Sequence, residues 1–266
     1  MIDLHCHMLP GIDDGAQTLD DSLAMARAAV ADGTTTLACT PHIYPGLFDN
    51  TPQTIAIAHA KFMSALRAEN IPLNIVLGAD IQIVPDLVSK LRTGRVLTLN
   101  GGRYFLFEPP HHVPAPMMLE LVHSTLAAGF VPVITHPERL AYAATKYNEF
   151  REAAKQGAWL QVTGAALTGR FGPGAQKLSE RMLADGLVHI IASDGHNMNS
   201  RPPTMAAAHA RAAQLVGEAE AQRLCVERPQ AIVDNVSPKD VTPPAPERPR
   251  KARGMGLLSR LKRQKM

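Results

Sequence analysis

The chain begins with residues 1–15, MIDLHCHMLPGIDDG, in which a short apolar run leads into His5-Cys6-His7, a Pro-Gly turn and two aspartates. In an extended strand, side chains two positions apart point to the same side. His5 and His7 can therefore reach one ion from the end of a first strand, and Asp14 brings a carboxylate oxygen after the turn. Imidazole and carboxylate together favour Zn, Mn, Fe or Ni. We predict a metal site here; the alternative for a His-x-His pair on its own is a polar strand end.

A pattern of strand, loop and helix repeats through most of the chain. Short β-branched or apolar runs, expected as strands, lie near residues 1–5, 35–40, 73–80, 103–108, 131–136, 158–163 and 188–194. Helical patterns lie between most of them, and the first begins with a capping-box-like pair, Thr18 and Asp21, and ends at Gly33. About seven β-α units with parallel crossovers predict an α/β fold, namely a distorted (β/α)7 TIM-like barrel formed by residues 1–236.

Side chains that bind metals recur at the ends of the predicted strands. With Asp14 included, the candidates are His5, His7, Asp14, His42, Asp80, Glu108, His136, Asp194 and His196. The C-terminal ends of the strands of an α/β barrel converge on one face, where active sites lie. These donors are too many for one ion, because a catalytic zinc takes about three protein ligands, but they fit two or three ions. Clustered divalent ions activate water and hold phosphoryl oxygens, so the pattern predicts hydrolysis of a phosphate ester.

Cysteine usage and hydropathy exclude several other classes of protein. Cys6, Cys39 and Cys225 are widely spaced and odd in number, which indicates reduced thiols rather than a disulfide framework. None of them is followed six residues later by arginine, so a cysteine-dependent phosphatase is excluded. No run of about 18 apolar residues is available to cross a membrane, and we expect no signal peptide.

The positive charge of the chain is concentrated near its C-terminal end. The net charge is +3 at pH 7, but residues 237–266 contain nine Lys or Arg and two acidic residues, so this tail carries +7 and residues 1–236 carry −4. The Pro, Lys and Arg content of the tail predicts disorder. The mildly acidic body gives no reason to expect nucleic acid as a partner. The end of the tail could contact anionic lipid or an acidic partner, or act only as a solubilising segment.

Three loops on or near the predicted active face carry further candidates. Tyr44 and Phe48 follow His42 and could flank an aromatic substrate. His111 and His112 either border the substrate mouth or have a plain loop role. Residues 168–174, TGRFGPG, are rich in glycine, but no Gly-Lys-Ser/Thr follows, so we interpret them as a turn into the next helix rather than a phosphate loop.

Together these motifs resemble the polymerase and histidinol phosphatase superfamily. Within it they resemble the bacterial metal-dependent protein-tyrosine phosphatases of capsule and exopolysaccharide biosynthesis. The resemblance covers nearly all of residues 1–236. It is carried by residues 5–7 (HCH), 9–15 (LPGIDDG), 40–42 (TPH), 78–81 (GADI), 107–109 (FEP), 136–139 (HPER), 193–197 (SDGHN) and 201–203 (RPP).

The resemblance implies a site for three divalent ions, with manganese expected and iron, cobalt or zinc as alternatives. The expected ligands are His5, His7 and Asp194 for one ion, Glu108 and His136 for a second, Asp80 shared between these two, and Asp14, His42 and His196 for the third. One position departs from the family's pattern, because the shared acid is usually Glu and Asp80 is one methylene shorter. Either the third strand end lies closer to the ions, or the spacing and occupancy of the ions differ.

The resemblance also implies substrate-binding residues, a partner and a location. Arg139 and Arg201 would bind phosphate oxygens, because a planar guanidinium binds them bidentately. With these two arginines, His42 and Asp194 complete the expected catalytic set. The implied substrate is phosphotyrosine on a tyrosine kinase of polysaccharide assembly, which places the protein in the cytoplasm, with the basic tail as a contact to the inner face of the membrane. Two alternatives stay open: a small-molecule phosphoesterase of the same superfamily, of the histidinol-phosphate type, and a non-catalytic docking or regulatory barrel.

Overall fold

Parallel strands form the centre of the structure, a computed structural model that describes residues 1–245. The strands of this part of the chain are β1 (Ile2–Cys6), β2 (Thr36–Cys39), β3 (His42–Ile43), β4 (Asn74–Leu77), β5 (Asp80–Gln82), β6 (Tyr104–Glu108), β7 (Val131–Thr135), β8 (Trp159–Thr163) and β9 (Ile190–Ala192). Each of the seven strands predicted from sequence coincides with one or two of them.

The second predicted strand is followed by a short strand that the sequence did not predict, and the third predicted strand is divided in two. Residues 40–41 separate β2 from β3, and residues 78–79 separate β4 from β5. Pro41 has no N–H to donate to a strand ladder, so the chain leaves the ladder there. β2 and β4 belong to a sheet of order β1-β2-β4, and β3 and β5 belong to a sheet of order β3-β5-β6-β7-β8-β9. The division places His42 and Asp80 directly beside each other in the register of β3 and β5.

Hydrogen bonds between the first strand and the segment after β9 close the ring of strands. The backbone N–H of Asp194 donates to the carbonyl oxygen of His5 at 2.8 Å, and that of His7 donates to the carbonyl oxygen of Gly195 at 2.8 Å. The order of strands is therefore continuous around a barrel, interrupted only by the divided second and third strands. The distorted TIM-like barrel predicted from the sequence is confirmed.

Helices connect the strands and cover the outside of the barrel. In the described part of the chain they are α1 (Leu19–Ala31), α2 (Pro52–Ala68), α3 (Leu87–Arg92), α4 (Met118–Ala127), α5 (Tyr147–Gln156), α6 (Gly164–Leu167), α7 (Gly172–Ala184), α8 (Ala206–Val216), α9 (Glu218–Gln222) and α10 (Arg228–Val233). The predicted cap of α1 is confirmed, because Thr18 Oγ1 accepts from Asp21 N–H at 3.1 Å and Asp21 Oδ2 accepts from Thr18 N–H at 3.0 Å. No helix within residues 1–245 combines the length and the apolar character needed to cross a membrane.

An irregularity in β1 determines which of its side chains face the inside of the barrel. Ile2 and Leu4 belong to the inner core, a cluster of buried residues from all sides of the barrel, whereas Cys6 belongs to the outer core between strands and helices. The pairing of β1 with β2 shifts between residues 3 and 6, and a one-residue shift exchanges the two faces of a strand. His5 and His7 consequently face the end of the barrel where the strands have their C-terminal ends, which we call the upper end; the opposite end is the lower end. Cys6 points away from the two histidines into the outer core, as the strand alternation predicts.

The lower end of the barrel is covered by the last described residues. Ile232 of α10 belongs to the inner core, and Val241 packs against it. The carbonyl oxygen of Thr242 accepts a hydrogen bond from Nε of the buried Arg228 at 2.9 Å. The first residues of the predicted tail therefore contact the barrel, and residues 246–266 of that tail lie outside the described residues.

Candidate metal centre

The first strand end brings two imidazoles against two carboxylates. His5 Nε2 lies 3.1 Å from His7 Nε2, 3.3 Å from Asp80 Oδ2 and 3.4 Å from Asp194 Oδ1. His7 Nε2 is also 3.5 Å from Asp194 Oδ1. All of these side chains are almost fully buried. The side chains that the resemblance assigns to one ion therefore lie together, at the end of β1, at the first residue of β5 and just after β9.

Asp80 joins this first group of donors to a second one. Asp80 Oδ2 lies 3.6 Å from His42 Nδ1 and 3.9 Å from His136 Nε2. Glu108 stands opposite, with Oε2 3.2 Å from His42 Nδ1 and Oε1 3.8 Å from His136 Nε2. Although Asp80 is one methylene shorter than Glu, its carboxylate reaches imidazoles of both groups. Asp80 is the first residue of β5, directly after the break that separates this strand from β4.

The third group of donors lies at the mouth of the site. Asp14 Oδ1 is 3.3 Å from His196 Nε2 and 3.5 Å from His42 Nε2. The Asp14 side chain is 49% exposed, so this group opens to solvent. Suitable donor atoms of His7, Asp14, His42 and His196 all lie within 4.8 Å of one another. The nine residues predicted from sequence thus form one continuous cluster.

Several donor atoms of the cluster are buried without a hydrogen-bond partner among the described residues. They are Nδ1 of His42, both carboxylate oxygens of Asp80, Oε2 of Glu108 and Nε2 of His196. A buried polar atom without a partner costs free energy, and a cation at the centre of the cluster removes that cost. The chemistry of the donors, imidazole with carboxylate, suits Mn, Fe, Co or Zn. The residues present therefore fit divalent metal ions.

The acidic members of the cluster are held in their ionised form. Burial by itself would raise the pKa of Asp80, but the neighbouring His5 lowers that pKa well below its usual range. The pKa of Asp194 is likewise well below its usual range, because His5, Arg201 and Arg139 outweigh burial. Burial and Asp80 oppose the ionisation of Glu108, but His111 and His42 lower its pKa. Ionised carboxylates are the state that binds cations.

The histidines of the cluster divide into two kinds. Burial opposes protonation of His5, but Asp80 and Asp194 raise its pKa to about 9. The pKa of His42 is raised to about 10, since Glu108 and Asp80 outweigh burial. Burial lowers the pKa of His136 and that of His196 to about 4 each. Metal binding requires neutral imidazole. A cation that replaces the protons on His5 and His42 therefore takes over their favourable interaction with the carboxylates of Asp80, Asp194 and Glu108.

Side chains behind the cluster orient its imidazoles. His7 Nδ1 lies 2.7 Å from Asp13 Oδ2, and His5 Nδ1 lies 2.9 Å from Gln161 Oε1. Such bonds fix the ring orientation and leave the Nε2 atom directed at the ion. The sequence reasoning did not find these roles of Asp13 and Gln161. A signal was present for Gln161, which is the polar residue in the middle of the apolar run WLQVT of β8.

His111 also approaches the cluster, although sequence reasoning left its role open. Its Nε2 atom lies 3.6 Å from Glu108 Oε1, and its ring centroid is 4.9 Å from that of His136. Donor atoms of Glu108, His111 and His136 lie within 4.8 Å of one another. The neighbouring His112 is exposed and does not line the cavity over the cluster. Of the two loop histidines, His111 is the one that borders the site.

Both predicted arginines reach the cluster at Asp194. Arg201 Nη2 lies 2.6 Å from Asp194 Oδ2, and Arg139 Nη1 contacts the same oxygen. The guanidinium of Arg139 lies over the ring of Phe171, 4.3 Å from its centroid, and that of Arg201 is 6.0 Å from the same centroid. Two planar cations at the edge of a group of metal donors form a suitable site for a phosphoryl group.

A cavity of about 230 Å³ lies above the donors and the arginines. One of its walls is aromatic and aliphatic, formed by Tyr44, Leu47 and Phe48. The ring of Phe48 stacks on that of His42, with 5.5 Å between centroids and an angle of 11°. The structure therefore places Tyr44 and Phe48 beside the site, where the sequence suggested them as neighbours of an aromatic substrate.

Comparison with known proteins identifies relatives over most of the chain. The family model for capsular polysaccharide synthesis, CpsB/CapC, matches residues 1–234. Tyrosine-protein phosphatase YwqE of Bacillus subtilis (strain 168) is 37% identical over 202 residues, which are 76% of this chain and 79% of YwqE. Tyrosine-protein phosphatase CpsB of Streptococcus pneumoniae is 31% identical over 240 residues, 88% of this chain and 98% of CpsB.

The fold is similar as well. A crystal structure from work on YwqE of Bacillus subtilis and CpsB of Streptococcus pneumoniae, which are metal-dependent tyrosine phosphatases, matches with a TM-score of 0.87 and 32% sequence identity. The match covers 92% of this chain and 99% of that structure. The similarity therefore includes the strands from which the metal donors project.

Proposed function

This chain belongs to the CpsB/CapC family of capsular polysaccharide synthesis, and on that basis we propose that it is a metal-dependent protein-tyrosine phosphatase. The observation that carries the proposal is the cluster of nine metal donors with two arginines bound at its edge. Metal donors and guanidinium groups that lie together at one end of the barrel suit transfer of a phosphoryl group. The small cavity with an aromatic wall above them suits the phenyl ring of phosphotyrosine.

We assign the donors to three ions, with manganese as the expected metal and iron, cobalt or zinc as alternatives. The proposed ligands are His5, His7 and Asp194 for the first ion, Glu108 and His136 for the second, Asp80 shared between them, and Asp14, His42 and His196 for the third. The 3.3 Å and 3.9 Å distances from Asp80 Oδ2 to His5 and His136 support the shared position. Asp13 and Gln161 orient the imidazoles of the first ion.

The residues of this chain bind and orient the phosphoryl group. When bound, the ions activate a water molecule and neutralise negative charge on the phosphoryl oxygens. Arg139 and Arg201 exchange their contact with Asp194 for bidentate contacts with phosphate oxygens, and Phe171 supports their planes. Asp194 and His42, which are metal donors that also line the cavity, complete the catalytic set. Tyr44, Leu47 and Phe48 cover the phenyl ring and exclude water from that side.

The proposed substrate is phosphotyrosine on a bacterial tyrosine kinase that controls capsule or exopolysaccharide synthesis. The names of the relatives support the phosphotyrosine specificity and the link to capsule. We place the reaction in the cytoplasm, which agrees with three buried cysteines that form no disulfide. The charge of +7 on residues 237–266 supports a contact with the anionic inner face of the membrane, where such a kinase lies.

Metal reconstitution tests the proposal. Metal-stripped protein receives Mn, Fe, Co, Zn or Mg one at a time, and hydrolysis of a phosphotyrosyl peptide and of histidinol phosphate is measured. We expect activity only with added metal, preference for the phosphotyrosyl peptide, and loss of activity in His136→Ala. The exposed His123 of α4 provides the matched control, since His123→Ala removes an imidazole far from the cluster. Preference for histidinol phosphate, or full activity in His136→Ala, would overturn the proposal.

A further inference from the structure

A second cavity lies beside the metal cavity and is larger. Its volume is about 470 Å³, within the range of ligand-binding sites. The cavity runs between the loop after β7 and the start of α7, and we call it the α7 groove. Its apolar walls are Leu140, Ala141, Ala144, Gly174, Ala175 and Leu178. Nothing in the proposed hydrolysis of phosphotyrosine uses this space.

The α7 groove is continuous with the metal cavity. Arg139 and His111 line both cavities, so the groove begins at a residue that is proposed to bind phosphate. Phe171, which stacks under the Arg139 guanidinium at 4.3 Å, forms part of the wall of the groove. A polypeptide whose phosphotyrosine is held at Arg139 therefore enters or leaves the site next to the mouth of this groove.

The glycine-rich loop before α7 gives the groove its shape. Gly169 and Gly172 have φ values of +88° and +85°, a region that other residues adopt only with strain. These two turns bracket residues 170–171 and hold Phe171 against Arg139. The loop that the sequence analysis interpreted as a simple turn therefore connects the phosphate-binding arginine to the wall of the groove.

The groove offers few free polar groups. At the start of α7 the Gly172 N–H donates to the carbonyl oxygen of Gly169 at 3.1 Å, and Pro173 has no N–H. Glu138 also lines the groove, but its Oε1 accepts from Thr163 N–H at 2.9 Å and its Oε2 is buried. Contacts in the groove are therefore made mainly by its apolar walls. The small apolar walls leave room for small or aliphatic side chains.

We propose that the α7 groove binds the segment of the substrate polypeptide next to the phosphotyrosine, and that it accepts small or aliphatic side chains. The inference rests on the proposed phosphatase function and adds a reason for selecting protein substrates. A free phosphotyrosine fills only the metal cavity of about 230 Å³. A peptide fills both cavities and gains contacts that a small phosphoester does not make.

Substitutions that fill the groove test the proposal in the full-length, metal-loaded protein. Ala144 and Ala141 are exposed in the groove wall, so Ala144→Phe and Ala141→Phe block it without disturbing the core. Ala60→Phe, at an exposed position of α2, is the matched control. We measure kcat and KM for a phosphotyrosyl peptide with alanine and valine neighbours and for free phosphotyrosine. Binding of the peptide with a non-hydrolysable phosphonate is measured by calorimetry.

We expect both groove variants to weaken peptide binding and raise its KM about tenfold, which corresponds to roughly 1.4 kcal/mol of lost contacts. Their kcat/KM for free phosphotyrosine should stay within about twofold of the wild type, and Ala60→Phe should change neither substrate. Equal losses for both substrates, or unchanged peptide binding in both variants, would overturn the groove proposal and leave the phosphatase function intact. A wild-type protein that hydrolyses neither substrate with any metal would overturn the function itself, and the groove proposal with it.

Discussion

Nδ1 of His7 lies 2.7 Å from Oδ2 of Asp13, and this bond turns the opposite nitrogen of the ring toward His5 and Asp194. Asp13 also accepts the backbone N–H of His42 at 3.0 Å and that of Gly15 at 2.9 Å. One buried carboxylate thus orients an imidazole and holds the start of β3. Although Asp13 does not face the proposed ions, the geometry of the centre depends on it.

Asp13→Asn should weaken metal binding about 10- to 100-fold, as the loss of a partner behind a metal ligand generally does. An amide in place of the carboxylate no longer stabilises the His7 orientation electrostatically. Metal affinity is measured by titration of metal-stripped protein, and activity is measured against free metal concentration. Excess metal should restore much of the activity. Asp20→Asn, at an exposed position of α1, serves as control; equal metal affinity in both variants would contradict the prediction.

Asp80→Asn should reduce activity about a hundredfold or more, because the change is at a proposed ligand rather than behind one. The carboxylate faces imidazoles of both donor groups and has no other partner among the described residues. The metal content of the purified variant, measured by mass spectrometry, should fall with the activity. Retention of all metal with full activity would exclude a shared-ligand role for this residue.

Asp80→Glu introduces the longer acid that the resemblance implies at this position and tests whether this chain is adapted to the shorter one. The site is completely buried, and one extra methylene in a packed interior costs about 1–3 kcal/mol. We expect the variant to bind metal but to unfold at lower denaturant concentration than the wild type. Unchanged stability would show that the end of the third strand has room for Glu.

Arg139→Lys and Arg201→Lys should each lower kcat/KM about a hundredfold, the scale seen when one charge-stabilising donor is lost. A lysine keeps the charge, but its ammonium group cannot bind two phosphate oxygens as a planar fork. Inhibition by inorganic phosphate should weaken in parallel, which separates phosphate binding from folding. Arg151→Lys, at an exposed position of α5, should behave as the wild type. Wild-type kinetics in both site variants would remove the arginines from the mechanism.

The sequence predicts the nine-residue cluster because the barrel itself brings its members together. His42, Asp80, Glu108 and His136 each stand at the end of a short apolar run, and parallel strands place such ends on one face. The alternation of β1 likewise predicts Cys6 behind the two histidines. These inferences need only the strand period and the order of the strands.

Other features of the site depend on contacts that no local pattern specifies. His111 approaches Glu108 from a loop without periodicity, and Gln161 meets His5 across 156 positions of sequence. The interruption of the second strand is different, because Pro41 signals it directly by removing a ladder donor. The apolar run predicts one strand at residues 35–40 and does not predict the short strand β3 that begins at His42.

His189, at the lower end of the barrel, should make stability depend on pH. Its ring stacks on that of Trp159, and its Nδ1 lies 3.2 Å from the Leu160 nitrogen and 3.1 Å from the carbonyl oxygen of Leu187. Burial and the nearby Arg228 lower the pKa of His189 to about 3. The unfolded histidine takes up a proton below about pH 6.5. Its contribution to stability is therefore complete above that pH and is lost as the pH falls toward 3.

His189→Asn keeps an acceptor near Leu160 and removes the titrating group. In metal-free urea unfolding between pH 7.5 and 4.5, the wild type should lose up to about 1.4 kcal/mol more per pH unit than this variant below pH 6. The exposed His123→Asn should retain the slope of the wild type. Identical slopes for the wild type and His189→Asn would show that folding does not lower the pKa of His189.

Arg228 and Arg223 both pair with Glu220 but should differ in their contribution to stability. Arg228 is 1% exposed, with Nη2 2.7 Å from Glu220 Oε1 and Nε bonded to the carbonyl oxygen of Thr242. Arg223 lies 3.1 Å from the other Glu220 oxygen and is 30% exposed. Removing one partner of a buried pair costs about 3–5 kcal/mol, whereas a surface pair contributes about 0–1 kcal/mol.

We therefore expect Arg228→Met to lower the free energy of unfolding by about 3 kcal/mol and Arg223→Met by less than about 1 kcal/mol. Equal losses in urea unfolding would mean that burial does not distinguish the two pairs, and that the contact of Arg228 with residue 242 does not hold the C-terminal segment against the barrel.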